Sequence, residues 1–127
     1  MKWDGFRTVC LVGTGGVSLM SRQNKDLGRY FPDLVVAAAE QIPPGCVVDG
    51  EAVIWSGGRL DFDALQRRLV TSKAALPALV RELPASFVAF DVLAVAGHDT
   101  RMVPLSERRA LLEELARDWS APLTSPP

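Results

Sequence analysis

TVCLVGTGGVSLMSR, residues 8–22, consists of two β-rich runs folded around a glycine turn. TVCLV and VSLMSR carry the branched and apolar side chains of strands, and GTGG marks the reversal between them. Working outward, QNKDLGRY is a polar loop, and FPDLVVAAAEQI is a helix. Pro32 suits the first turn of that helix and PPG at 43–45 stops it. CVVDGEAVIW, 46–55, is a strand of about ten residues closed by a SGG turn. LDFDALQRRLV has helical spacing, with Leu65 and Leu69 on one face. TSKAALPALVREL is a weaker helical stretch, expected to break near Pro77. FVAFDVLAV, 87–95, is the most continuous apolar strand, buried on both faces if central to a sheet. AGHDT is a turn. SERRALLEELARDW is predicted helical, with Leu111, Leu112 and Leu115 as its core stripe and Ser106 as its N-cap. Hairpins and helices without regular β-α-β alternation predict an α+β fold, a largely antiparallel sheet with flanking helices. The expected organisation is one domain over 1–120 and a flexible proline-rich tail, SAPLTSPP, with 121–127 outside the domain.

The bulk properties set bounds. The chain has 127 residues, 48% hydrophobic and 23% charged, enough for one domain with a buried core. No apolar run approaches the ~20 residues that cross a bilayer, so no membrane partner is expected. Cys10 and Cys46 are isolated in apolar stretches and read as buried free thiols in a reducing compartment. The lone His98 lies in a polar turn, which argues against a metal site. Net charge is −1, but residues 1–30 hold Lys2, Arg7, Arg22, Lys25 and Arg29 against Asp4 and Asp26, a local +3. A basic end of this kind can steer a phosphate-bearing ligand, although a scatter of solvated arginines fits equally well. Neither GxxxxGK[ST] nor GxGxxG occurs, which argues against the common phosphate-cradling folds.

Four constellations could carry chemistry. In KWDGFR, Lys2 is one of only three lysines. A lysine becomes a nucleophile when desolvation or neighbouring cations hold it neutral. Arg7 is nearby, Gly5 lets the backbone approach a ligand closely, and Asp4 shares a face with Lys2 on an extended segment. The bland alternative is a frayed surface lysine before an Asp-Gly turn. In VVDGEAVIW, Asp49 and Glu51 project from one face of a strand and could accept bonds from sugar hydroxyls. A polar face meeting water explains them as well. Phe90-Asp91 places an aromatic and an acid in mid-strand, either for packing or as a stacking platform. Ser21-Arg22 pairs a hydroxyl with a guanidinium, which suits phosphate binding but carries little weight alone.

Order and spacing unite the four. Lys2-x-Asp4-Gly5-x-Arg7, Ser21-Arg22, Asp49-Gly50-Glu51 and Phe90-Asp91 form the series found in covalent nucleotidyltransferases. The sequence resembles the adenylation domain of ATP-dependent DNA ligases, particularly the bacterial type, in KWDGFR, LMSRQNKDLGRYFPDL, VVDGEAV, LDFDALQRRL and ASFVAFDVLAV. That resemblance implies a DNA ligase with ATP and Mg2+ as cofactors, nicked double-stranded DNA as partner, a role in DNA repair or recombination, and the bacterial cytoplasm as location. It implies that Lys2 attacks the α-phosphorus of ATP and holds AMP as a phosphoramide. Arg7 would contact the nucleotide or the nick end, Ser21 and Arg22 the strand phosphates, Glu51 the ribose and Phe90 the adenine. Asp4, Gly5, Asp49 and Asp91 would support them. An RNA ligase or mRNA capping nucleotidyltransferase shares the lysine chemistry, and a non-catalytic remnant would share the fold. Ligase adenylation domains continue to Glu-Gly and Lys-x-Lys motifs, and neither occurs here. The chain is therefore expected to correspond to the front part of a ligase core.

Overall fold

The computed structural model describes residues 5–126. The hairpin forms as expected: β1 (Phe6–Gly13) and β2 (Gly16–Ser21) pair antiparallel, with Gly13 opposite Gly16. β3 (Cys46–Ser56) pairs antiparallel with β1, and β5 (Ala85–Val95) pairs antiparallel with β3. β6 (His98–Asp99) completes the order β2-β1-β3-β5-β6. β4 (Arg59–Leu60) folds back on β3 through Gly57 and Gly58, whose φ values of 61° and 79° suit a two-residue reversal. The fold is thus α+β with a largely antiparallel sheet. β5 lies between β3 and the short β6, and Phe87, Val88 and Ala89 are buried in succession, as a strand covered on both faces requires.

Four helices accompany the sheet: α1 (Pro32–Gln41), α2 (Phe62–Val70), α3 (Leu76–Glu82) and α4 (Leu105–Ala116). Leu34, Ala37 and Ala38 of α1 and Leu65 of α2 join the main core with Val48, Ala52, Phe87 and Val92 of the strands. Asp61 caps α2 by accepting the Ala64 N–H at 2.9 Å.

Several expectations are corrected. Pro77 does not break a helix; it lies in the first turn of α3, where its missing N–H costs nothing. Ser106 does not cap α4, because Pro104 occupies that position and no side chain caps the end. Leu112 is the buried residue of α4, whereas Leu111 is exposed. The tail is not wholly loose: β7 (Leu123–Thr124) runs parallel to β5, Leu123 is buried, and the Phe87 N–H donates to the Pro122 carbonyl.

A buried ion pair ties the helices to the sheet. Arg68 of α2 is wholly buried and forks onto Asp33 of α1, with Nη1 to Oδ1 at 2.9 Å and Nη2 to Oδ2 at 2.8 Å. The same guanidinium donates to the carbonyls of Tyr30 and Leu83 and lies over the Phe31 ring. Asp33 also accepts the N–H of Ala85, the first residue of β5. One carboxylate therefore fixes α1, α2 and the entry to β5 together.

Candidate functional site

Strand register decides which side chains meet. Arg7 of β1 lies opposite Glu51 of β3, and Val88 of β5 lies opposite Glu51 on the other side. Asp49 of β3 lies between Val9 and Asp91 in the same way. Directly opposed residues share a face. Arg7, Asp49, Glu51 and Asp91 therefore stand together on the face away from the main core. Val53 and Val88 are buried on this face yet belong to no part of the main core cluster, so they form an apolar patch beside Glu51.

The ladder breaks beside Phe90. Asp49 pairs with Asp91, but the next residue, Gly50, pairs with Ala89, which leaves Phe90 as an extra residue on β5. Phe90 and Asp91 are consecutive half-buried residues between buried Ala89 and Val92. By alternation Phe90 follows Val88 onto this face, and the bulge keeps Asp91 there too instead of turning it toward the core. Gly50 is required next to it: a Cβ there would lie 2.2 Å from the Val88 carbonyl oxygen.

Asp49 and Asp91 on this face are each held by an arginine. Arg7 donates to Asp49 from Nε at 3.2 Å and from Nη2 at 2.7 Å. The hydrogen bond to Asp49 raises the Arg7 pKa above its ordinary value; partial burial opposes this, and the charges of Asp49 and Glu51 add to it. Asp91 receives Arg108 Nε at 2.9 Å from α4, and Arg108 also donates to the Val103 carbonyl at 2.7 Å. Asp49 and Asp91 oppose each other across two strands, an arrangement that like charges disfavour. The outcome is a row, Arg7–Asp49–Asp91–Arg108, in which each acid has its own guanidinium.

Gly5 lies against Glu51. A Cβ on it would stand 2.9 Å from Glu51 Oε2 and 2.6 Å from a Val53 methyl. Gly5 thus packs tightly on Glu51 and Val53, and only glycine fits at the contact. Lys2 and Asp4 lie outside the described residues.

Ser21 ends β2 opposite Thr8, the residue after Arg7, and Arg22 follows it. Ser21 is buried, and its Oγ accepts the N–H groups of Gln23 at 3.2 Å and Lys25 at 3.0 Å. Its oxygen organises the loop after the hairpin, which presents Arg22 on the surface. Arg22 makes no ion pair among the described residues.

Sequence reading missed Arg108 and Arg68. Arg108 pairs across seventeen residues, a relation no local pattern reveals. Arg68 had a usable signal, since it falls between Leu65 and Leu69 on the apolar face of α2, where an arginine must find a buried partner. Among the described residues no group of three or more His, Cys, Asp or Glu could hold a metal ion, and no helix is long and apolar enough to cross a membrane.

Comparison with known proteins follows this geometry. The family profile described as "ATP dependent DNA ligase domain" matches residues 1–123. The chain belongs to the ATP-dependent DNA ligase domain family. It is 44% identical over 117 residues to DNA ligase C2 of Mycolicibacterium smegmatis, covering 92% of this chain and 33% of that one. It is 45% identical over 111 residues to DNA ligase C of Mycobacterium tuberculosis, covering 87% and 31%. In three dimensions it is similar to a mycobacterial DNA ligase D solved in complex with ATP and MES, at TM-score 0.78 and 32% identity, over 99% of this chain and 38% of that one. The chain spans about a third of the length of the curated relatives it matches.

Proposed function

We propose that this ligase-family chain forms the nucleotide-binding front of an adenylation domain, with Lys2 as the nucleophile that takes AMP from ATP. The observation that carries this reading is the convergence of Gly5, Arg7, Glu51 and the Phe90 bulge on one face of three adjacent strands. Chain connectivity keeps the Lys2 Cα within about 11 Å of the Gly5 Cα, because three residues span at most ~3.6 Å each. A lysine side chain can therefore reach a phosphate held above Glu51.

In this reading the ribose hydroxyls donate to Glu51, adenine stacks on Phe90, and the Val53–Val88 patch excludes water beneath the sugar. Arg7, held flat by Asp49, faces the phosphates with a fixed orientation. Magnesium would be held by the phosphates of the nucleotide itself, where it would offset their charge. The neutral Lys2 amine attacks the α-phosphorus, the bond to the β-phosphate oxygen breaks, and pyrophosphate leaves. AMP held on Lys2 Nζ then passes to a DNA 5′-phosphate, and a 3′-hydroxyl displaces it to seal the nick, in repair or recombination. Ser21 acts by shaping the loop that presents Arg22 to the strand phosphates.

The test is ATP binding followed by NMR on the isotopically labelled chain, with GTP as competitor. ATP should perturb Glu51, Val88 and Phe90. Glu51→Ala should weaken binding by about 1–3 kcal/mol, or roughly five- to 150-fold. Perturbations confined to other faces would overturn the site, and preference for GTP would move the chain toward capping enzymes.

A further inference from the structure

A second concave surface lies elsewhere in the fold and shares no residue with Arg7, Asp49, Glu51 or Phe90. It is a cleft of about 920 Å3 between the 3-10 turn Gly28–Tyr30 and the α2–α3 junction. Its wall is apolar: Leu69, Val70, Leu76, Pro77 and Val80 line it. Val70, at the last position of α2, is 83% exposed.

The charges lining the cleft have one sign. Arg29 and Lys73 are its only charged lining residues among those described. Arg29 is fixed in place, with its guanidinium 4.6 Å from the centroid of the Tyr30 ring and bonded to the Tyr30 hydroxyl. It forms no ion pair with a described carboxylate. A neighbouring cleft shares Arg29, Tyr30 and Leu69 and adds Lys25 to the rim. Its one acid, Asp26, accepts the Gly28 N–H at 2.8 Å. On a chain of net charge −1, an apolar trough with a wholly cationic lining is a local departure.

We propose that this cleft docks an acidic amphipathic peptide segment of a partner protein. Apolar side chains of that segment fill the trough between Leu69 and Val80, and its carboxylates pair with Arg29 and Lys73. A short amphipathic helix supplies this pattern, with anchors at i, i+3, i+4 and acids between them. A nucleic-acid strand is the poorer fit. Its affinity depends on neutralised phosphates, and two cations above an apolar wall give few such contacts.

The test uses the 127-residue protein and a fluorescein-labelled peptide with leucines at i, i+3, i+4, i+7 and glutamates elsewhere. Fluorescence polarisation should show saturable binding, and a matched peptide with lysine in place of glutamate should not bind. Arg29→Glu and Lys73→Glu should each weaken binding by about tenfold. Val70→Ser, at an exposed position, should weaken it likewise while leaving the circular dichroism spectrum unchanged. Equal binding of both peptides, or no loss in Val70→Ser, would overturn the proposal. So would a short single-stranded oligonucleotide that competes for the cleft and outbinds the acidic peptide.

Discussion

Asp33→Ala probes the contact that holds helices and sheet together. The substitution removes both carboxylate oxygens that accept from a wholly buried guanidinium, and with them the acceptor of the Ala85 N–H. Removing one partner of a buried pair costs about 3–5 kcal/mol, because the remaining charge stays desolvated and uncompensated. The Tyr30 and Leu83 carbonyls continue to accept from Arg68, and the Asp33 side chain is 17% exposed, so water can reach the vacated site. Both features favour the lower end, and about 3 kcal/mol is expected. Against a total stability of about 5–15 kcal/mol this is a large loss. Urea unfolding followed by circular dichroism should show the midpoint falling by roughly 1–2 M, for a slope near 2 kcal/mol/M. The double variant Asp33→Ala/Arg68→Met should regain part of the loss, since the stranded charge is gone. An Asp33→Ala protein within about 1 kcal/mol of the parent would refute the reasoning.

Three further outcomes are expected. Gly50→Ala places a Cβ 2.2 Å from the Val88 carbonyl oxygen and 2.8 Å from Phe87 Cζ. Since a backbone oxygen cannot step aside, it should cost about 3 kcal/mol or more in thermal or urea unfolding and weaken ATP binding through the displaced Phe90 bulge. Burial pushes the Cys10 thiol up to about 12 from an ordinary 9.0, with the neighbouring Cys46 adding to it. That folded-state value is raised, so the stability it contributes is intact below about pH 9 and declines as pH climbs toward 12. Native Cys10 should resist a thiol reagent near neutral pH and react on unfolding; rapid labelling of the folded chain would contradict this. Arg108→Met should destabilise by about 1–2 kcal/mol, since it strips Asp91 of its cation while Asp49 still opposes it, and a stability unchanged in urea would show that the charge row contributes nothing.

The strands and helices were legible because their signals are local. The hairpin, the helix begun by Pro32 and the apolar run 87–95 each announce themselves within a dozen residues. Errors arose where tertiary contact outweighs local preference. Pro77 reads as a breaker, yet three residues before it end in a turn that makes it a starter. Leu123 reads as tail, yet β5 has an open edge that it fills. At the site, the residue types were readable and their partners were not. Asp49 and Glu51 share a face by alternation, but that Arg7 bonds Asp49 rather than its direct neighbour Glu51 is a matter of side-chain reach across strands. The Phe90 bulge has no sequence mark, since it exists only as a mismatch between two strands.

The central claim is that AMP is taken up on Lys2 above the Glu51 face. The direct measurement grafts these residues in place of the matching third of the mycobacterial DNA ligase C2 and incubates the chimera with magnesium and ATP labelled at the α-phosphate. One labelled adduct should form and map to Lys2. Lys2→Ala should abolish it, and so should Lys2→Arg, whose guanidinium stays protonated and cannot attack. Label retained in Lys2→Ala would place the nucleophile elsewhere and contradict the account.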